Sequence, residues 1–282
     1  MGTDTALSWR FSAADLHGAA AFFDEHGFVA FDDLLDDDDV ARLRDAYEQC
    51  VAEGTITRRE HGMVVENDAI YLHPVFREYV ESPRIVAAAS AVLGGRPVEL
   101  QHCKIAQRTL EDSGEGALEW HQDFPFFPHT NYDLVAVLMH LDEETVESGP
   151  VHVIPGSHRR GPVSHVDPET GEFAYAITTD DAPPREPGVL LTGRAGQVTL
   201  HHGCTIHGSA PKTNRTPRRI LIPQYRAQDA IQLAGVIWRC TGHQVMERVE
   251  PRTARLVDGT VIELRGNGGR LYDRERQLAP TT

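Results

Sequence analysis

Residues 98–108 read VELQHCKIAQR, and at this stretch the sequence changes from helical to strand-like patterning. Apolar and branched residues alternate with polar ones, as in a strand with two different faces. Runs of the same kind follow at 132–141, 149–158, 196–208 and 218–227, separated by glycine, proline and acidic residues. Several short strands without regular helices between them predict an antiparallel sandwich or jelly roll. The predicted fold class is therefore mainly β with packed helices (α+β).

Helical patterns precede this β region. The first begins at Ser12, which has Asp15 three residues on in the manner of a capping box, and it ends at Gly27. A second places Val40 and Leu43 at helical spacing behind a run of acidic residues, where the helix dipole favours negative charge. The three predicted helices lie within residues 12–27, 36–54 and 82–95.

No repeat or linker divides the chain, so we predict one domain of residues 1–282. Residues 1–96 are predicted to form a mainly helical support and lid, and residues 97–228 the β core. Residues 229–282 are predicted to contain a helix and a hairpin, because Asp-Gly lies between two strand-like runs at 255–264.

The composition argues against several classes of partner. A formal net charge of -15 repels nucleic acid and anionic lipid. No apolar run is long enough to cross a bilayer, and the first residues do not resemble a secretory signal. We therefore expect a cytoplasmic protein that binds neither nucleic acid nor membranes. The 4 cysteines are far apart, which favours reduced thiols over a disulfide framework.

A histidine and an aspartate two residues apart are the first candidate metal ligands. In a strand, residues i and i+2 point to the same face, so His121 and Asp123 could bind one ion while Gln122 faces away. Two histidines and one carboxylate leave coordination positions open on iron. The second histidine must come from a distant segment, and LHHGCTIHGSAP offers His201, His202 and His207. An H-x-D pair alone is a weak signal.

An arginine downstream of these histidines adds a second indication. Arg218 opens the apolar strand at 218–227, and a buried guanidinium is costly unless a carboxylate meets it. Its planar donors suit bidentate binding of a carboxylate. A metal beside such a carboxylate anchor indicates an organic acid as co-substrate. Arg219 points to the opposite face of the strand, so only one of the two arginines can reach the metal site.

Four segments, in this order, resemble the phytanoyl-CoA dioxygenase family of Fe(II)/2-oxoglutarate-dependent oxygenases. They are HGFVAFDDLLDDDDVARLR, WHQDF, ESGPVHVIPGSHRRG and LHHGCTIHGSAPKTNRTPRR. The resemblance implies a double-stranded β-helix, that is, a jelly-roll, cupin-like core. It implies that His121, Asp123 and His207 bind the iron and that Arg218 binds the far carboxylate of 2-oxoglutarate. By the same family spacing, Arg219 is expected at the surface. Ser209 matches a hydroxyl position beside that carboxylate.

The implied activity is that of a non-haem Fe(II)/2-oxoglutarate-dependent dioxygenase that hydroxylates or otherwise oxidises a small-molecule metabolite. Fe(II) is the implied cofactor, and 2-oxoglutarate and O2 are the implied co-substrates. Relatives that halogenate lack the carboxylate ligand, so Asp123 favours oxygenation. The alternatives are a zinc-dependent hydrolase, which could use the same ligand types, and a non-catalytic jelly-roll binding module.

Further candidates line the predicted core. Alternation places His102 and Lys104 on the same face of their strand, where relatives have a polar contact to 2-oxoglutarate or substrate; an exposed lysine is the competing interpretation. The candidate substrate contacts are Phe124, Phe127, His129 and Tyr225. Aromatic residues fill cores more often than they bind substrate, and Trp120 is expected in the core.

Residues near 56–72 and the loop 165–188 are predicted to cover the substrate, because a long polar loop is typical of a mobile lid. The sequence specifies neither the substrate nor the choice among hydroxylation, desaturation, epimerisation and cyclisation. We expect a monomer or a homodimer.

Overall fold

The computed structural model describes residues 7–57, 63–108, 118–178, 188–209 and 212–264. This part of the chain contains four α-helices: α1 (Leu16–His26), α2 (Asp37–Ala52), α3 (Pro74–Val80) and α4 (Pro83–Val92). Short 3-10 helices span Ala69–Tyr71, Phe124–Phe126, Val146–Ser148 and Ser157–Arg160. The strands are β1 (Arg10–Phe11), β2 (Phe28–Phe31), β3 (Met63–Asn67), β4 (Val98–Arg108), β5 (Leu134–His140), β6 (Val151–Val153), β7 (Val189–Leu190), β8 (Val198–His202), β9 (His207–Ser209), β10 (Arg218–Ala227), β11 (His243–Gln244), β12 (Thr253–Arg255) and β13 (Val261–Glu263).

Two sheets form the core. The larger has eight strands in the order β1-β2-β8-β5-β10-β4-β11, with β3 paired to β4, and the smaller has the order β7-β6-β9. Apart from the parallel pair β1 and β2, all the paired strands of both sheets are antiparallel. Apolar residues of both sheets, such as Leu138 and Val153, pack together between them. This arrangement confirms the predicted mainly β fold with a double-stranded β-helix core.

Alternation along the central strands separates the two faces of the larger sheet. On β10, Leu221 and Tyr225 contribute to the apolar core on the helical side, whereas Ile220 and Ile222 face a cavity between the sheets. The same division holds on β5, where Val137 lies on the helical side. Each strand therefore carries structural residues on one face and cavity residues on the other.

A bulge near the start of β4 changes the alternation of that strand. The pairing between β10 and β4 shifts where Gln224 is opposite His102 and Tyr225 is opposite Leu100. Gln101 is the extra residue, and its side chain bonds to Gln232 and His129. The bulge keeps Leu100 in the apolar core while His102 turns to the cavity.

The helices cover the outer face of the larger sheet. Val40 and Leu43 of α2 are buried there, as their spacing predicted. The predicted start of α1 at Ser12 is wrong: Asp15 is the N-cap and accepts a bond from the Gly18 amide, while Ser12 bonds to Asp33. A cap needs its side chain at the first free amides of the helix, and only Asp15 is placed there.

One helix was not predicted. α3 begins after His73, whose ring accepts a bond from the Val75 amide, and Pro74 occupies the first turn. Histidine is outside the usual set of capping residues, so this start is not marked in the sequence.

The C-terminal prediction comprised a helix and a hairpin, and the described residues contain the hairpin. β12 and β13 form the hairpin that Asp258 and Gly259 indicated. No helix occurs within residues 229–264, and residues 265–282 lie outside the described chain. The two predicted lid segments also include residues outside it, namely 58–62 and 179–187.

The four cysteines are buried and unpaired. Among the described residues, no helix has the length and apolar character needed to cross a membrane.

We expect Asp36→Ala to lower the free energy of unfolding by about 1 kcal/mol. The Asp36 carboxylate caps α2 by accepting a hydrogen bond from the Asp39 amide at 2.8 Å. The Asp39 carboxylate in turn accepts one from the Asp36 amide at 3.1 Å. Asp38→Ala is the matched control, because Asp38 lies in the same turn without a capping bond and should cost only a few tenths of a kcal/mol. Equal losses in urea denaturation would contradict the assignment of the cap.

Candidate metal centre

A backbone bridge brings His121 next to His207. The two residues exchange both of their amide hydrogen bonds, at 2.8 and 2.9 Å, as a single antiparallel pair beside β9. Their ring centroids are 4.2 Å apart. Gly208 permits this approach, because a Cβ atom there would lie 2.5 Å from the Leu118 carbonyl oxygen. Two histidines that are distant in sequence therefore share one edge of the smaller sheet.

Asp123 completes the cluster by a different route from the one expected. The sequence predicted a strand with His121 and Asp123 on one face, but Asp123 has φ -71 and ψ -36 and starts a 3-10 helix. This turn, rather than strand alternation, directs the carboxylate towards the two rings. Gln122 faces away and bonds to the carbonyl groups of Gly161 and Cys204. Ligand atoms of His121, Asp123 and His207 all lie within 4.8 Å of one another.

Both histidines present Nε2 to the centre of the cluster. His121 Nδ1 bonds to the Glu119 carbonyl at 2.8 Å, and His207 Nδ1 bonds to the Thr205 carbonyl at 2.9 Å. A carbonyl accepts only from N–H, so each Nδ1 carries the proton and each Nε2 keeps a free lone pair. Such bonds from the second ring nitrogen are typical of histidines that bind metals.

Burial keeps these rings neutral. It lowers the pKa of His121. Burial together with the neighbouring rings of His121 and His201 holds the pKa of His207 well below its usual range. Neutral imidazole is the form that binds a metal ion, so the site is chemically prepared for one.

Two further residues hold the Asp123 carboxylate. His201 Nε2 lies 3.2 Å from Oδ2, and Gln224 Nε2 donates to the same oxygen at 3.1 Å. Burial alone would raise the pKa of Asp123, but the electrostatic influence of the neighbouring His207 ring and the hydrogen bond with His201 bring it well below its usual range. The carboxylate is therefore ionised and oriented. The sequence offered His201 only as one of three possible ligands, and it did not indicate Gln224, although Gln224 lies on the same face of β10 as Arg218.

The cluster opens into a cavity of about 120 Å³ between the two sheets. Its polar lining includes His102, Lys104, Ser209, Arg218 and Gln224. The apolar lining residues are Met63, Val65, Ala106, Leu118, Ala136, Leu138, Val151, Ile220 and Ile222. The cavity is thus mostly apolar. Its charged and metal-binding groups are Lys104, Arg218 and the metal-type cluster, which is His121, Asp123 and His207.

Arg218 lies at the end of the cavity with its guanidinium only partly satisfied. Its Nε donates to both carboxylate oxygens of Glu144, at 2.9 and 2.8 Å. Its Nη2 is buried and has no hydrogen-bond partner among the described residues. A buried, unpaired donor of this kind is costly unless a ligand satisfies it. Ser209 also lines the cavity, and its Oγ accepts bonds from Arg108 Nη1 at 2.9 Å and the Leu118 amide at 3.0 Å.

His102 and Lys104 lie on the cavity face of β4, where alternation placed them. The His102 ring packs 4.6 Å from that of Trp238, and burial together with the charge of Lys104 lowers its pKa to about 3. A neutral ring and a partly buried ammonium therefore face the same space.

The four candidate substrate contacts do not line the cavity. Tyr225 is wrong as a substrate contact: it is fully buried on the helical side of the sheet and donates to the Val80 carbonyl at 2.7 Å. Ordinary alternation along β10 places it on the same face as Arg219 and Leu221, opposite Arg218. His129 is enclosed by bonds to the Phe127 carbonyl and Arg226.

The two phenylalanines form a layer behind the cavity lining. Phe124 packs against Tyr132, and Phe127 packs against His102 and Trp238. Trp120 is buried, as expected of a core residue.

Arg219 points away from the cavity, as alternation predicted, but it is not a surface residue. Its Nε and Nη2 donate to both oxygens of Asp142, and its Nη1 donates to Glu48. Its side chain is only 12% exposed. It joins the sheet to α2.

We expect Gly208→Ala to weaken metal binding about tenfold, because the added methyl group displaces the segment that carries His121. A titration with Mn(II) or Zn(II) measures this change. Gly94→Ala is the control: its φ of +71 makes alanine strained there and should lower stability, but no atom lies within 4 Å and the position does not line the cavity, so metal affinity should be kept. Equal affinities for the two variants would contradict the close approach.

The chain was compared with known proteins. Residues 23–220 match the family model for phytanoyl-CoA dioxygenase (PhyH). A probable alpha-ketoglutarate-dependent hypophosphite dioxygenase from Stutzerimonas stutzeri is 34% identical over 225 residues, covering 76% of each chain. An L-proline trans-4-hydroxylase from Streptomyces griseoviridis is 29% identical, covering 76% of this chain and 87% of the relative.

Among solved structures, the non-heme alpha ketoglutarate dependent carbocyclase SnoK from nogalamycin biosynthesis superposes with a TM-score of 0.67 at 25% identity. The match covers 80% of this chain and 90% of SnoK. The sequence match over most of the chain, together with the shared fold, shows that this protein belongs to the phytanoyl-CoA dioxygenase family.

Proposed function

We propose that this protein is an Fe(II)/2-oxoglutarate-dependent dioxygenase that oxidises a small molecule. One observation carries the proposal: His121, Asp123, His207 and Arg218 line one cavity, and the Nη2 of Arg218 has no hydrogen-bond partner among the described residues. The relatives named above are a dioxygenase, a hydroxylase and a carbocyclase. The names of the dioxygenase and the carbocyclase state that they depend on alpha-ketoglutarate.

The residues present fit a ferrous ion. His121, Asp123 and His207 would hold it through two imidazole nitrogens and one carboxylate, a set that leaves positions open for a keto acid and O2. His201 and Gln224 keep the carboxylate turned towards the ion through their bonds to Oδ2. When bound, the iron supplies the oxidative decarboxylation of 2-oxoglutarate to succinate and the oxidation of the substrate.

The polar end of the cavity fits 2-oxoglutarate. Arg218 would bind the carboxylate farthest from the metal, with the hydroxyl group of Ser209 beside it. Lys104 and His102 face the same cavity from β4, and we assign them a polar contact to 2-oxoglutarate or to the substrate. The apolar wall between these groups excludes water from the co-substrate.

Hydroxylation is the default reaction, because it needs no further group from the protein. The names of the two curated relatives give substrates as different as hypophosphite and proline, which supports a small-molecule substrate. A zinc-dependent hydrolase or a non-catalytic module is not favoured, because neither explains a buried arginine with a free donor beside the metal ligands.

We expect succinate formation to require Fe(II), O2, 2-oxoglutarate and a substrate, and Asp123→Ala to abolish it together with metal binding. The measurement is a succinate-coupled screen of small molecules with the wild-type protein, followed by the variant. Asp258→Ala, in the distant hairpin turn, is the control and should keep both properties. Metal binding that survives in Asp123→Ala would refute the ligand assignment.

We expect Arg218→Ala to raise the KM for 2-oxoglutarate about 30-fold, because truncating one partner of a buried charge pair costs roughly 2 kcal/mol or more. Arg219→Ala is the matched control: it loses an ion pair on the same strand but on the opposite face. The control should lose stability and keep its KM. An unchanged affinity in Arg218→Ala would rule out the anchoring role.

A further inference from the structure

The guanidinium groups of Arg218 and Arg219 are held in different ways. Asp142 accepts hydrogen bonds from both Nε and Nη2 of Arg219, and Glu48 accepts one from its Nη1. Every guanidinium nitrogen of Arg219 is therefore bonded within the protein, and none remains for a ligand. Of the Arg218 nitrogens, only Nε donates hydrogen bonds to Glu144. The Nη edge of Arg218 is therefore left for another carboxylate, and bidentate binding uses such an edge.

Glu144 is itself fixed from several sides. Its Oε1 lies 3.0 Å from His140 Nδ1, and its Oε2 accepts from Ser148 Oγ at 3.1 Å. Its backbone exchanges two hydrogen bonds with Gly193, at 2.8 and 2.9 Å. Because its side chain is only 1% exposed, the carboxylate has no room to turn towards solvent.

A second layer fixes His140. Its Nε2 lies 2.9 Å from Thr199 Oγ1 on the neighbouring strand β8. The chain of contacts Thr199, His140, Glu144 and Arg218 therefore crosses three adjacent strands or their ends and finishes at the cavity. All four side chains are buried.

The charge of Glu144 follows from the same contacts. Burial alone would raise the pKa of Glu144, but the charge of Arg218 and the His140 bond lower it to about 2. The carboxylate is thus ionised at neutral pH and balances the buried guanidinium before a co-substrate arrives.

We propose that Glu144 is a positioning residue that orients Arg218 so that its Nη edge faces the cavity and receives the distal carboxylate of the co-substrate. This inference rests on the proposed function. It adds a residue outside the cavity lining that determines affinity for the dicarboxylic acid. Glu144 does not touch the co-substrate and acts only through Arg218.

The test is the affinity for 2-oxoglutarate of the Mn(II)-loaded full-length protein, measured by titration calorimetry without substrate. Glu144→Gln keeps the side-chain shape but loses the charge. We expect it to weaken binding about tenfold, the effect of misplacing one hydrogen bond to a charged group. Mn(II) affinity should not change. Asp142→Asn is the matched control, because it perturbs the neighbouring arginine, and it should leave 2-oxoglutarate affinity unchanged.

A shorter ligand separates positioning from general damage. 2-Oxobutyrate has the keto-acid end but lacks the distal carboxylate, so its affinity should be the same in wild type and Glu144→Gln. In the Arg218→Ala background, Glu144→Gln should change the 2-oxoglutarate affinity less than twofold, because Glu144 then has no Arg218 guanidinium to orient. Equal 2-oxoglutarate affinity in wild type and Glu144→Gln, or an equal loss for 2-oxobutyrate, would overturn the inference.

Ser148→Ala provides a milder variant in case Glu144→Gln does not fold. It removes one bond to Oε2 and should weaken 2-oxoglutarate binding two- to threefold, roughly the effect of a neutral hydrogen bond; an unchanged affinity would count against the inference. A wild-type protein that binds Mn(II) but not 2-oxoglutarate would instead refute the proposed function.

Discussion

The backbone bridge between His121 and His207 is the constraint on which the site depends. Two hydrogen bonds and a glycine contact join a turn to the edge of the smaller sheet, and this junction sets the separation of the two imidazoles. Each ring is then fixed by a carbonyl two residues before it. The two histidines of the cluster are therefore brought together by backbone pairing. Rotation of their side chains alone could not place them side by side.

Strand alternation places structural residues on one face of β10 and cavity-lining residues on the other. Arg218 and Arg219 are neighbours, and each is paired with a carboxylate from the segment that follows β5. Arg219 is fully bonded and joins the sheet to α2, whereas Arg218 lines the cavity and its Nη2 has no hydrogen-bond partner among the described residues. The cost of that unpaired donor is acceptable only if binding a ligand relieves it. Stability and recognition are thus assigned to opposite faces of one strand.

Much of this was predictable from local patterns. The strand boundaries of β4 and β10, the buried positions of α2 and the cavity face of His102 and Lys104 follow from periods of 2 and 3.6, which depend only on backbone geometry. The family segments likewise indicated the fold and the residue types of the cluster. The start of α1 and the existence of α3 were missed, because a cap depends on which side chain reaches the free amides.

The sequence by itself thus determined the fold class, the faces of the strands and the chemical types available for a metal and a dicarboxylic acid. The tertiary structure alone decided that Asp123 acts from a 3-10 turn, that the bulge at Gln101 turns His102 to the cavity, and that Glu144 holds Arg218. These features arise from a bulge, a turn and contacts between segments distant in the chain. Such contacts have no local signature, because the same residue types would satisfy their hydrogen bonds equally well with other partners.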